Sequence, residues 1–236
     1  MSVIENVRYR EGMAGGRTRE ALLEHGALLF ARRGVAGVTA RQLHEAVGAR
    51  NESALHYHFG GKDGLVEAIV RDHADAVERR RAALVAAIAA EDRADDLRAL
   101  VHALAAPMAE DLRTALGRAH LRLVAQLSHP ALGYARPLRL VEAPAGVAVL
   151  RWLGLVLADL PEPVRTERLV ALRAQLIGLF GVRARLLDDP PGTDWRAPHD
   201  LFVANLIDVL VAGLAATPSP EALAAAAAVA SVPPKD

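Results

Sequence analysis

Between Thr18 and Arg33 the apolar residues Leu22, Leu23, Ala27 and Phe30, with Gly26, recur at helical spacing. Glu20 and Glu24 fall in the first turn, where the helix dipole favours acids. Arg32 and Arg33 close the segment, and Gly34 follows as a C-terminal stop. The pattern predicts a helix over 18–33. Thr39 then stands where an N-cap is wanted, with Gln42 three residues on as in a capping box. Leu43, Ala46 and Val47 make a short second helix that Gly48 ends. A third short helix is expected from about Asn51 to His58, with Ala54 and Leu55 facing inward. After the turn GGKDG, a long helix runs from Leu65 to about Ala90, with Leu65, Ile69, His73, Ala76 and Val77 on one stripe.

Beyond residue 92 the helical period returns in 94–106, 108–128, 144–159, 163–188 and 199–215. The breaks are Pro107, SHP at 128–130, PEP at 161–163 and DDPPGTDWRAP at 188–198. An alanine-rich stretch at 219–231 reads as a weakly anchored terminal helix. Residues 1–16, with three glycines, mixed charge and no apolar period, read as a flexible arm. No segment alternates as a strand would. The expected fold is all-α: a compact three-helix unit over 17–64, a helical body over 65–218, and a terminal helix and tail over 219–236.

Composition narrows the chemistry. The 236 residues suffice to bury a core, and the absence of cysteine removes disulfides, thiolate metal sites and cysteine nucleophiles together. That absence fits a reducing cytoplasm, the expected location. Charge balances at 28 basic against 28 acidic residues; residues 1–64 hold 9 Lys/Arg and 7 Asp/Glu, so charge alone makes no case for nucleic acid. No apolar run reaches the ~18 residues of a membrane span, and no signal-like core opens the chain. His56-x-His58 has the wrong spacing for metal ligands on one helix face, and there is no HExxH, Walker loop, Rossmann fingerprint or nucleophile elbow. No catalytic residue, metal or cofactor is expected.

Two short helices joined by a glycine turn, behind a longer one, form a helix-turn-helix, whose second short helix lies in the DNA major groove. Asn51, Glu52, Ser53 and His56 suit base edges there: amides grip adenine, carboxylates accept from cytosine, hydroxyls contact several bases. Tyr57, His58 and Lys62 suit phosphate oxygens, and Thr39, Arg41 and Arg50 complete the expected DNA-contacting set. Leu55 and Phe59 belong instead to a small core with Leu22, Phe30, Val38, Leu43 and Val47. Spacing alone also fits a polar surface hairpin.

Residues 17–70, RTREALLEHGALLFARRGVAGVTARQLHEAVGARNESALHYHFGGKDGLVEAIV, resemble the N-terminal domain of the TetR family of bacterial transcriptional regulators. The features that carry the resemblance are RTREALL with the following LF, RRGVAGVTARQL, the turn Gly48 and YHFGGKDGLVEAI. Against the family pattern, one extra residue separates Gly48 from Phe59, His56 takes the place of the usual phosphate-binding tyrosine, and His44 replaces a small residue. The extra residue leaves open which of Arg50, Asn51 and Glu52 face bases.

The resemblance implies a homodimer whose bodies bind a small effector and alter the spacing of two DNA-reading heads. Two stripes fit such an interface: Leu169, Leu172, Leu176 and Leu179, continuing to Val182 and Leu186, and Phe202, Leu206 and Val209. Periodicity fits an ordinary internal core face equally. A two-fold dimer would set its recognition helices ~34 Å apart, which calls for a palindromic operator. Candidate effector contacts are His102, Met108, His120, Leu123, Leu127, Trp152 and Gln175, apolar positions with a few polar groups among them. Arg118, Arg122 and Gln126 stand nearby, suited to an anionic effector or to water. The alternative function is a helical dimeric interaction protein that does not read DNA.

Overall fold

The computed structural model describes residues 3–48, 53–128, 143–188 and 197–230. The helices are α1 (Val3–Arg33), α2 (Ala40–Ala46), α3 (Ala54–Phe59), α4 (Lys62–Ala90), α5 (Leu97–Ala109), α6 (Ala115–Leu127), α7 (Pro144–Val156), α8 (Glu162–Asp188), α9 (His199–Ala215) and α10 (Pro220–Ala230), with a 3-10 turn at Glu110–Arg113. Among the described residues there is no strand, and the fold is all-α as expected. No single helix there is long and apolar enough to cross a membrane.

Local signals place the small elements. Thr39 caps α2: its hydroxyl accepts from Gln42 N–H at 3.3 Å, while Gln42 Oε1 accepts from Thr39 N–H at 2.9 Å. Asp96 and Thr114 cap α5 and α6 in the same way, accepting from Ala99 and Gly117 at 3.0 Å each. Gly34 and Gly48 take left-handed conformations, with φ of 74° and 60°, and so end α1 and α2.

Several boundaries differ from expectation: α4 begins at Lys62 rather than Leu65, and the helix expected over 108–128 begins only at Ala115, after the 3-10 turn. The helix expected over 18–33 begins at Val3, so the segment read as a flexible arm continues α1; it contains no proline to stop a helix. Helix α3 begins at Ala54 rather than near Asn51, after Ser53. Pro107 does not break the chain but lies buried inside α5. A proline there cannot bond the carbonyl of Ala103, and Arg81 Nε from α4 donates to that oxygen instead, at 3.3 Å.

Two apolar cores result. The head's core gathers Leu22, Phe30, Val35, Val38, Leu43 and Leu55 with Leu65, Val66, Ile69 and Val70 of α4. Gly26 lets α1 and α4 meet closely, since a Cβ there would lie 3.0 Å from Leu65 Cδ2. Leu123 and Leu127 of α6 complete this cluster, so the head's core does not stop at residue 64. The body's core is built on Leu100, Leu104, Leu121, Val149, Leu153, Leu176, Phe180 and Leu210. Helix α6 therefore serves both cores. The terminal helix α10 buries Ala226 and exposes Leu223 and Val229.

Candidate nucleic-acid interface

Leu55, 3 % exposed, anchors α3 in the head's core, and Phe59 packs against the same cluster. Helical spacing then turns the opposite side out: Ser53 and His56 are exposed, and Tyr57 is 83 % exposed. His58 is half-buried, its ring edge-on to Tyr57 at 5.0 Å. Three groups suited to base edges or phosphate thus share the exposed side of a helix fixed from behind. Arg50, Asn51 and Glu52 lie outside the described residues.

Thr39 and Arg41 are exposed at the start of α2, beside this surface in sequence; Arg41 also pairs with Glu45 at 2.7 Å. Arg19 lies over the Phe59 ring, 5.5 Å from its centroid, and places a guanidinium next to α3. Sequence reasoning missed it, because an arginine on α1 gives no local sign of meeting an aromatic forty residues on.

Lys62, expected at a phosphate, is engaged within the head. Its Nζ donates to the carbonyls of Val35 and Val38, both at 3.1 Å. These oxygens lie in the loop between α1 and α2, so the ammonium ties that loop to the start of α4.

The residues expected to contact an effector do not converge. Leu123 and Leu127 belong to the head's core. Met108 and Trp152 pack against the body's core, and Gln175 is exposed on α8. His102 is exposed and lines a cleft of about 650 Å³ with Leu84, Ile88, Arg113, Val203 and Ile207, where α4, α5 and α9 meet. His120 stacks on buried His73, ring centroids 4.7 Å apart. Burial, with His120 and Arg80 nearby, pushes His73 down to about 3; burial also pushes His120 down to about 4, against Asp72. Both rings are therefore neutral near pH 7, and the 3.6 Å approach of His73 Nε2 to Asp111 is no ion pair there. Asp111 instead pairs with Arg80 at 2.6 Å, although burial raises its carboxyl above the ordinary range. Among the described residues no group of three His, Asp or Glu is placed to hold a metal.

The arginines considered for an anionic effector are engaged within the chain. Arg118 Nε and Arg122 Nη1 both donate to Asp188, at 2.6 and 3.0 Å. Arg122 Nη2 and Gln126 Nε2 both donate to the carbonyl of Ala31, at 2.9 and 3.0 Å. A further buried pair went unseen in the sequence. Glu78 and Arg81 on α4 meet at 2.7 Å, and Glu78 Oε1 accepts from the N–H groups of Ala145 and Gly146 at the start of α7. Their i, i+3 spacing beside the apolar Val77 was the available signal.

The two stripes read as an interface divide. Leu172, Leu176 and Leu206 are buried in the chain's own core, and Leu169 and Phe202 pack against it. Leu179 and Val209 face outward at 39 % and 53 % exposure, joined on α8 by Val170 and Val182 and on α9 by Leu201. The correction follows from geometry: a stripe at i, i+3, i+4 is wide enough to be shared between an inner and an outer face.

Residues 22–69 match the family model for bacterial regulatory proteins of the tetR family. The match runs from Leu22 on α1 to Ile69 on α4, both in the head's core. No curated protein matches the chain.

Proposed function

We propose that the chain, whose residues 22–69 match the tetR-family model, is a DNA-binding transcriptional regulator: a homodimeric repressor that grips a palindromic operator and is released by a small effector. The observation that carries the proposal is the outward face of α3, with Ser53, His56 and Tyr57 exposed on a helix anchored by Leu55 and Phe59. Ser53 and His56 read bases; Tyr57, Thr39, Arg41 and Arg19 hold phosphate. In the same proposal Arg50, Asn51 and Glu52, outside the described residues, keep their expected role as DNA contacts. The outward apolar residues Val170, Leu179 and Val182 of α8, and Leu201 and Val209 of α9, supply a face for a second copy. The cleft beside His102, lined by apolar residues such as Leu84, Ile88 and Ile207 and by charged residues of both signs, has a volume typical of small-ligand sites. The protein acts by binding, without catalysis or cofactor, and operates in the cytoplasm.

The test is a gel shift and footprint of the purified protein against the DNA upstream of its own coding region. The expected result is a protected inverted repeat, with affinity falling steeply as salt rises. Ser53→Ala should relax preference at one base position by about 1–3 kcal/mol. Salt-sensitive binding that does not distinguish one sequence from another would instead favour the helical interaction protein.

A further inference from the structure

The last turn of a helix leaves carbonyls without intrahelical partners and carries the negative end of its dipole. In α1 the left-handed Gly34 ends the helix, and its N–H bonds Phe30 O at 2.8 Å. The next carbonyl, that of Ala31, accepts two hydrogen bonds from α6: Arg122 Nη2 at 2.9 Å and Gln126 Nε2 at 3.0 Å. A cation and an amide from the body thus cap the C-terminus of the head's longest helix. The same guanidinium holds Asp188, the final residue of α8, through Nη1 at 3.0 Å, and Arg118 steadies that carboxylate from the preceding turn of α6 at 2.6 Å. Around this point α6 is wedged tightly. Leu123 and Leu127 enter the head's core, and Gly181 of α8 lies so close to Ala125 that a side chain there would collide.

We propose that Arg122, oriented by Asp188, and Gln126 beside it are positioning residues for DNA binding: together they fix the angle of the head on the body, and Arg122 joins the end of α8 to the end of α1. Leu123 and Leu127 pack α6 into the head's core without fixing direction strictly, since apolar contacts tolerate sliding. The hydrogen bonds at Ala31 add a directional support at the end of α1 and hold the head at one angle. Because α8 also carries the outward face assigned to the second copy, a shift at the dimer reaches the head through α6, with Arg122 bridging the end of α8 to the end of α1. This inference rests on the reading of the chain as a dimeric operator-binding regulator.

The chain contains no cysteine, so Glu24→Cys on α1 and Arg173→Cys on α8, both exposed, accept spin labels selectively. The distance between them, measured in labelled protein diluted with unlabelled, reports the head's angle without DNA. Operator affinity and thermal melting are measured on the same variants. Arg122→Met, Gln126→Leu and Asp188→Asn should each broaden the distance distribution and weaken operator binding about tenfold, within the usual range of coupling between sites. Arg122→Lys, which keeps the charge but cannot bridge both partners, should recover part of each effect. Gln126→Leu keeps the test open if the arginine variants fail to fold. A melting temperature that drops while distance and affinity stay unchanged would make the contact merely structural and overturn the proposal. So would broadened distances with operator affinity within twofold of the parent. If the parent binds no operator, the dimeric-regulator reading fails, while unbroadened distances would still refute the positioning role.

Discussion

Replacing Lys62 with methionine separates two roles for a lysine just beyond the exposed helix α3. As a phosphate contact, its loss would weaken every DNA sequence about equally and leave the fold alone. The geometry gives it the other role, since Nζ donates to Val35 O and Val38 O at 3.1 Å each, in a partly buried setting. Hydrogen bonds from a charged donor contribute about 1.5–3 kcal/mol each, and partial exposure places the pair toward the lower end. Methionine keeps most of the apolar stem, so packing changes little. Lys62→Met should therefore cost about 3 kcal/mol and lower the melting temperature by roughly 6–12 °C for a chain of this size. Amide exchange should quicken at residues 35–39. The slope of log affinity against log salt should stay as in the parent, whereas loss of one phosphate contact would make it shallower by about 0.9. Unchanged stability together with a shallower slope would refute the reasoning and return Lys62 to the DNA.

Glu78→Ala should be among the most damaging single changes in the body. It strips Arg81 of its buried partner and α7 of its cap, and about 3–5 kcal/mol of stability should disappear in urea unfolding. Stability should also fall with acid. His73 and His120 titrate in the folded chain at about 3 and about 4, against an ordinary 6.5, so below pH 6.5 the unfolded chain takes up protons that the folded chain refuses. The loss should begin as pH falls through 6.5 and continue toward 4, reduced in its lower part by Asp111, whose raised pKa works the opposite way. His120→Gln should flatten the profile, and a parent whose stability is constant from pH 6.5 to 4.5 would contradict the burial argument. At the outward face, Val182→Arg should yield monomers in sedimentation and weaken operator binding, while the substituted chain keeps its helical circular dichroism; a dimer as tight as the parent's would move the interface elsewhere.

Much of the head was legible because its signals are local. A capping box spans three residues, so Thr39 and Gln42 announced α2, and Gly34 and Gly48 marked where helices had to stop. The outward turn of His56 and Tyr57 followed from Leu55 and Phe59 needing a core, and this too is decided within one or two turns. The stripe on α8 was harder. Its period told which residues share a side of the helix, yet the structure divides that side, with Leu172 and Leu176 inward and Leu179 and Val182 outward. Helical period carries no information about how wide the neighbouring helices are.

What the chain's order of residues determined by itself was the set of helices, their caps and the identity of the head, all consequences of interactions between residues a few positions apart. Only the tertiary structure decided the fate of the charges. Lys62 reaches carbonyls 24 and 27 positions back, Arg81 serves the oxygen freed by Pro107, and Arg122 reaches Ala31 across 91 positions. A long cationic side chain takes whichever acceptor the packed helices bring within about 3 Å. That choice is made in space, after the helices have met.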